Sequence, residues 1–378
     1  MSNSDKVRLV LIGDIFMGGD FVPVCYDKDY DPFKELGKLI KADDIVICNL
    51  ETTFFKGYQR PFRTPLLWSP PENIRFLESL KLDVACLANN HIMDYGYKSM
   101  QRTKRLLANH QIGFFGAGMD LHDSLRPLII KRNNLTFGFL GFTSKAYYVN
   151  ALISGWNTPG SPPIKINLIH KQIKSLKEQC DFICICLHWG HEYTNIPTRS
   201  QRILAKKIVD AGADLIIGTH PHVIQGFEVI AGKPVFYSLG NFFFPAFETI
   251  SGAKHTWIED CHYSMVVLLD IYKDRISSEI LPVKFQDNKV VILSGDEKSK
   301  ILTKLSAYNE SMKQGKDNLL YLKDKKKIKK TFIRYLKSRP LNLFKNSLFL
   351  LSLFNMFRFI DGLRNKIAKK ASDKWIVT

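Results

Sequence analysis

The chain has 378 residues, 45% of them hydrophobic and 24% charged, which is the make-up of a folded globular protein and excludes a disordered one. Its formal net charge is +18, but residues 320–370 hold 15 Lys or Arg against two acids and carry +13 of it, leaving +5 elsewhere. The basicity belongs to a tail and says little about the main body's partner.

In chain order, VRLVLIG (7–13), IVICN (45–49), DVACLA (83–88), FICICLH (182–188) and DLIIG (214–218) are short and continuously apolar. Each is too short for an independent helix and reads as a strand covered on both faces. Between them PFKELGKLIKA, PENIRFLESLK, YKSMQRTKRLLANH, NLIHKQIKSLKEQ and SQRILAKKIVDAG carry helical spacing, with Pro71 near one start and Gly212 just past one end. The alternation predicts a mainly parallel sheet with helices on its faces. The later runs VFYSLG (235–240) and SMVVLLDIY (264–272) follow each other through loops and predict further strands, some antiparallel. Cys48, Cys86, Cys184 and Cys186 lie inside the apolar runs, which implies packed, reduced thiols and a cytosolic setting. No stretch reaches the ~20 apolar residues that cross a bilayer. Residues 1–295 read as one domain and 296–378 as a basic amphipathic helical tail.

Ligand-type side chains follow each strand: Asp14, then Glu51, then Asn89, Asn90 and His91, then His188, then His220 and His222. In an open α/β sheet the carboxyl edge of the strands is where ligands bind. Taken singly, these residues are turn formers or satisfied structural groups. Five consecutive strand ends point instead to one shared site. Mixed oxygen and nitrogen donors suit borderline divalent ions such as Mn, Fe, Zn or Co. A carboxylate between histidines can bridge two ions ~3.5–4 Å apart, the arrangement used for in-line phosphoryl displacement.

The order Asp, Glu, Asn-His, His and His-x-His resembles the calcineurin-like metallophosphoesterases. More closely, GDIFMGG (13–19), NLE (49–51), NNHIMDYG (89–96), HWGHEY (188–193), GTHPHVIQG (218–226) and YSLGNFFF (237–244) resemble the CapA-type family of capsule and poly-gamma-glutamate synthesis. The likeness covers roughly residues 7–285. It implies a metallophosphoesterase-like layered α/β sandwich around mixed β-sheets. It also implies a metal-dependent hydrolase, phosphoesterase-like, acting in capsule or exopolymer biosynthesis. The ligands it implies for one or two divalent ions (Mn, Fe, Zn or Mg) are Asp14, Glu51, Asn90, His188, His220 and His222, with Glu51 as bridge. His91 becomes the proton donor or transition-state stabiliser. Asp94 either orients His91 or caps the next helix. His191 and Glu192 either reach the site or are loop polarity. Asn241 hydrogen-bonds a phosphate or a ligand, or forms a turn. Two positions depart from the superfamily pattern: Phe16 stands where Asp-x-His has its histidine, and Glu51 stands for the usual bridging Asp. One metal position is therefore a ligand short, and is weak, empty or completed by another residue.

Hydroxide generated at such a site attacks a phosphoester, or alternatively a glutamyl amide, while His91 protonates the leaving oxygen. Trp189, with Trp68, Trp156, Tyr193 and Phe242 to Phe244, reads either as a rim that stacks on sugar rings or as packing. Segments 52–68 and 143–163 read as lids or as surface loops. As a lid, the first brings Lys56, Arg60 and Arg63 to an anionic small-molecule or polymer substrate. The tail reads as an interfacial helix pair on an anionic membrane surface, or as a hairpin packed on the domain. Nucleic acid is the weaker partner, since no recognised binding module is present. MSNSDKVRLVLIGD has no signal core, so the expected location is cytoplasmic and peripheral at the inner membrane face. The alternative to an enzyme is a catalytically weak metal-binding component of a membrane-associated polymer synthesis complex, kept open by Phe16.

Overall fold

Strands that are apolar on both faces set the layers, because successive side chains point to opposite sides. The computed structural model describes residues 6–22, 24–55, 67–145, 151–248, 254–273, 275–315 and residue 324. The chain runs through β1 (Val7–Ile15), α1 (Lys34–Leu39), β2 (Ile45–Leu50), and the short pair β3 (Thr53–Phe54) and β4 (Trp68–Ser69). It continues through α2 (Ile74–Ser79), β5 (Val84–Cys86), α3 (Gly96–Asn109), β6 (Gly113–Phe115) and α4 (Leu121–Ser124). Next come β7 (Leu128–Arg132), β8 (Leu135–Thr143), α5 (Ile166–Leu176), β9 (Phe182–His188), α6 (Arg199–Ala211) and β10 (Leu215–Thr219). β11 (Phe227–Ile230), β12 (Lys233–Phe236), β13 (Asn241–Phe243), and the short β14 (Phe247–Glu248) and β15 (Lys254–His255) follow. The described elements close with β16 (Tyr263–Ile271), β17 (Ile276–Gln286), β18 (Lys289–Ile292) and α7 (Gly295–Lys313).

The strands form two main sheets. One has the order β18-β17-β16-β1-β2-β5-β6, with β13 also paired to β1, and the other has the order β11-β12-β10-β9-β8-β7. Both are mixed. In the first, β1, β2, β5 and β6 run parallel and β16 pairs antiparallel with β1 and β17. In the second, β8, β9, β10 and β12 run parallel, with β7 and β11 antiparallel at the edges. The five runs read as strands from the sequence are β1, β2, β5, β9 and β10, and SMVVLLDIY is the antiparallel β16.

Side chains two apart share a face, so each strand feeds two layers. On β1, Val10 and Ile12 pack toward Leu36 of α1, Phe76 and Leu77 of α2, and Met100 and Leu107 of α3. Val7, Leu9 and Leu11 point the other way, against Phe137, Phe139, Cys184, Cys186, Leu215 and Ile217 of the second sheet. The second sheet's outer face, with Leu140, Phe142, Ile183 and Ile185, is covered by Ile169 and Ile173 of α5 and Ala205 and Ile208 of α6. The result is the layered α/β sandwich, helix–sheet–sheet–helix, expected from the sequence. Each fully buried aliphatic or aromatic side chain in it contributes on the order of 1.5–3 kcal/mol. Cys48, Cys86, Cys184 and Cys186 are buried free thiols within this packing.

Local signals agree with the ends. Thr198 and Gln201 form a reciprocal capping box at the start of α6, and Gly212 closes it at φ 111°. Pro71 lies in the 3-10 turn that leads into α2. β8 is an apolar strand that the sequence reading passed over. α7 is not an opening to the tail. Its Ile301 and Leu305 enter the inter-sheet core, and the first compact unit extends from Met1 to Lys326, past the division expected at 295/296. The second unit, Lys327–Thr378, and with it most of the basic segment, lies outside the described residues. Among the described residues no helix is long and apolar enough to cross a membrane.

Candidate metal centre

The inter-sheet layer ends upward in polar groups where the parallel strands stop. On β2, Ile45 and Ile47 face the second sheet, and the same alternation turns Asn49 and then Glu51 inward. On β9, Cys184 and Cys186 do the same for His188, and on β10, Leu215 and Ile217 do so for Thr219. β1 needs a correction of register. Ile12 pairs with Cys48 but Asp14 pairs with Asn49, so Gly13 is an extra residue, a β-bulge. Without it Asp14 would follow Val10 and Ile12 toward the helices. Gly13 has no room for a side chain, since a Cβ there would stand 2.1 Å from the Gly240 carbonyl oxygen.

Within this pocket Asn49 Nδ2 donates to Asp14 Oδ1 (2.7 Å) and Glu51 Oε2 (3.3 Å), tying the two carboxylates together. Its own Oδ1 accepts from Asn89 Nδ2 at 3.2 Å. His188 is held by Thr219 Oγ1 at 3.0 Å from Nδ1, with Asn90 Oδ1 2.8 Å from Nε2. His222 Nδ1 lies 2.8 Å from Asn241 Oδ1, which leaves Nε2 turned to Glu51 Oε1 at 3.9 Å. His91 Nδ1 bonds Asp94 Oδ2 at 2.6 Å and Nε2 stands 3.8 Å from Glu51 Oε1. His188 Nε2 is 3.7 Å from the same oxygen. Glu51 Oε1 and both ring nitrogens of His220 are buried without a hydrogen-bond partner among the described residues.

These distances exceed hydrogen bonds and suit donors arranged around a cation. Donor atoms of Asp14, Glu51 and His188, and again of Glu51, His220 and His222, lie within 4.8 Å of one another. Glu51 belongs to both sets. Burial raises the Asp14 carboxyl from 3.8 to about 7. Burial, followed by the Asp14 charge, also pushes Glu51 well above the usual carboxylate range. Burial likewise drives His188 and His220 well below 6.5 and lowers His222 to about 3. Buried acids beside neutral imidazoles form a donor set lacking positive charge, so the residues present fit a divalent ion.

The structure brings Asp14, Glu51, Asn90, His91, His188, His220 and His222 together. It resolves the alternatives for Asp94. That carboxylate holds His91 and the Leu67 N–H, while α3 has Tyr95 at its N-cap and no side-chain cap. Asn241 stands behind His222, positioning its ring. Trp189, expected to bind substrate, does not line the site. Leu187 and Trp189 point away from His188, and Trp189 is buried on Tyr237 at the helix face, its Nε1 donating to the Tyr237 carbonyl oxygen. Phe242 and Phe243 pack in the core beneath α1–α3. Phe16 packs with Leu67, Phe244 and Phe247, so that position offers no donor. His191 and Glu192, on the loop after β9, both act on the cluster. Beyond the effect of burial, the Glu192 charge adds to that of Asp14 in raising Glu51, and His191 helps lower His220. Burial raises the Glu192 carboxyl itself from 4.5 to about 7. Arg63, Lys56 and Arg60 lie outside the described residues. Asn49 and Thr219 are the partners not singled out from the sequence, and Asn89, named there among the strand-end groups, braces Asn49. Counting back by two from Glu51 would have found Asn49.

The fold and its strand-end cluster thus define an α/β sandwich with a buried carboxylate–imidazole centre. The chain belongs to the family described as bacterial capsule synthesis protein PGA_cap, whose family model matches residues 8–246. It is 35% identical over 246 residues to the PGA biosynthesis protein CapA of Bacillus subtilis (strain 168), covering 64% of each chain. It is 34% identical over 251 residues to the capsule biosynthesis protein CapA of Bacillus anthracis, covering 64% of this chain and 60% of that one. It therefore spans less than two thirds of the length of either relative. Among solved structures it is similar to the calcineurin-like phosphoesterase YfkN from Bacillus subtilis, at 15% identity and a TM-score of 0.44, over 83% of this chain and 98% of that one.

Proposed function

We propose that this chain is a divalent-metal-dependent hydrolase, phosphoesterase-like, that acts in capsule or exopolymer biosynthesis, on poly-gamma-glutamate or a polysaccharide. The observation that carries the reading is Glu51 Oε1, buried without a hydrogen bond and faced by imidazole nitrogens of His188, His91 and His222 at 3.7, 3.8 and 3.9 Å. Family membership supports the capsule setting.

Asp14, Glu51, Asn90, His188, His220 and His222 would hold one or two ions of Mn, Fe, Zn or Mg. When bound, such an ion supplies Lewis acidity and positive charge to an anionic substrate. Asn49 holds Asp14 and Glu51 in place, and Asn241 and Thr219 fix the rings of His222 and His188. His91, anchored through Nδ1 on Asp94, presents Nε2 as the acid that protonates the leaving oxygen. Burial of the whole cluster strengthens each charge interaction there. The substrate is an anionic small molecule or polymer, with a phosphoester as the reacting group. A cytoplasmic location, with residues 320–370 against an anionic inner membrane face, completes the proposal, supported by the free buried thiols and the charge of that segment.

Phe16 favours a second reading, a metal-binding component of a polymer synthesis complex with weak catalysis of its own. Metal analysis with hydrolysis of bis(p-nitrophenyl) phosphate tests both, comparing the parent chain with Glu51→Ala and His91→Ala. Bound ion with turnover lost in both variants supports the hydrolase. Bound ion without turnover in Mn, Fe, Zn or Mg supports the second reading, and absence of bound ion overturns both.

A further inference from the structure

Tyr193 holds a backbone conformation that its side chain disfavours, with φ at 62°. A bulky residue in the left-handed region is strained, whereas glycine occupies it freely. The strain persists because hydrogen bonds over-determine the loop. The Tyr193 N–H donates to the Pro221 carbonyl oxygen at 2.8 Å, Gln225 Nε2 to that of Thr194 at 2.7 Å, and Asn195 Nδ2 to that of Ile224 at 3.0 Å. These bonds clamp the loop after β9 onto the His220–Pro221–His222 turn, where His220 and His222 also have positive φ, 95° and 59°.

The Tyr193 ring belongs to none of the apolar clusters, and its hydroxyl is hydrogen-bonded to the neighbouring Glu192 carboxyl. It is half-buried, as is Trp257, which also packs on Phe244 and Phe247. The Tyr193 ring centre lies 6.4 Å from those of His222 and Trp257, and the latter two are 4.9 Å apart. Trp257 is fixed by its Nε1, which donates to the Pro245 carbonyl oxygen at 3.2 Å. It lies beyond residue 246, where the family match ends. Two partly exposed rings therefore flank an imidazole that faces the carboxylate cluster, and one is kept there against backbone preference.

We propose that Tyr193 and Trp257 form the wall of a substrate subsite beside His222 that takes a flat, ring-shaped group carried by the anionic substrate. Ring faces pack on such groups over the whole of their area and discriminate against small alkyl groups. This inference rests on the functional reading above, in which the cluster with its ion receives the anion.

Calorimetry on the full chain with Mn²⁺, using phenylphosphonate and methylphosphonate as probes, tests it. The parent is expected to bind phenylphosphonate roughly five- to tenfold tighter than methylphosphonate. In Tyr193→Gly and in Tyr193→Asn, both tolerant of positive φ, that ratio falls toward one. Methylphosphonate affinity and Tm stay the same or rise, because strain is relieved. Trp257→Ala also lowers the ratio. Methylphosphonate bound with no preference for the phenyl group in the parent overturns the subsite. So does a preference unchanged by Tyr193→Gly, or a Tm that falls in both Tyr193 variants and so makes the ring structural. A parent that binds neither phosphonate overturns the functional reading and the subsite together, a different result from loss of preference alone.

Discussion

Glu51 Oε1 and His188 Nε2 stand 3.7 Å apart with both side chains fully buried. Two atoms bound to one ion at ~2.0–2.2 Å are held roughly 3–4 Å from each other. The pair is placed as two ligands of one ion, and Glu51→Gln should weaken divalent-ion binding by more than the roughly 10–100-fold that outer-shell changes cost. Metal content after dialysis, with a titration calorimetry Kd, measures it. Unchanged affinity would remove Glu51 from the ligand set.

Asn49 donates to Asp14 and Glu51 from a single amide nitrogen, at 2.7 and 3.3 Å. Asn49→Ala leaves both carboxylates free to repel each other. Ion affinity should fall about 10–100-fold with the fold retained. Comparing Mn²⁺ affinity and the circular dichroism melt separates this from general unfolding.

His91 and Asp94 are 2.6 Å apart, and neither belongs to the clusters of mutually close donors. His91→Ala should lower kcat for an aryl phosphodiester by about 10²–10⁴-fold while bound metal stays at the parent level. Asp94→Asn should lower kcat by a smaller factor through loss of ring orientation. Loss of metal in His91→Ala would make that histidine a ligand instead of an acid.

The pH dependence follows from the acid and the imidazoles together. Asp14 is raised from 3.8 to about 7, so through this group ion-free stability falls as pH rises from 3.8 to about 7, where the unfolded chain has already released the proton. His222 is lowered from 6.5 to about 3, so through it stability falls as pH drops below 6.5 toward 3. A bound cation favours the carboxylate and the neutral ring. The rise in Tm produced by Mn²⁺ should therefore grow between about pH 5.5 and pH 8. A rise that is flat across this range would argue against Asp14 as a ligand.

Gly13→Ala places a methyl group 2.1 Å from the Gly240 carbonyl oxygen on a neighbouring segment. The bulge that turns Asp14 inward cannot accept it without backbone movement. A loss of about 2–4 kcal/mol in denaturant melts, together with weaker ion binding, is expected. Trp189→Ala should also cost about 3–5 kcal/mol, through its buried contact with Tyr237. Any ion that the protein binds should stay bound in this variant.

The strand–helix alternation and the row of donors at strand ends are legible in the order of residues, because both are local. An apolar run seven residues long that stops at His188 states its own burial and its own polar end. Two properties are not local and arise only when distant segments pack. Facing was the first: side chains alternate across a strand, so His188 enters the cluster while its neighbour Trp189 is committed to the helix side. The bulge at Gly13, visible only once β1 pairs with β2, decides the same question for Asp14. Partnership was the second. Asn49 reaches Asp14 35 residues away, Asn241 reaches His222 19 residues away, and Trp257 meets Tyr193 from beyond the family match. Such contacts depend on strand order and register, which the pairing of distant segments sets and no single stretch of residues carries.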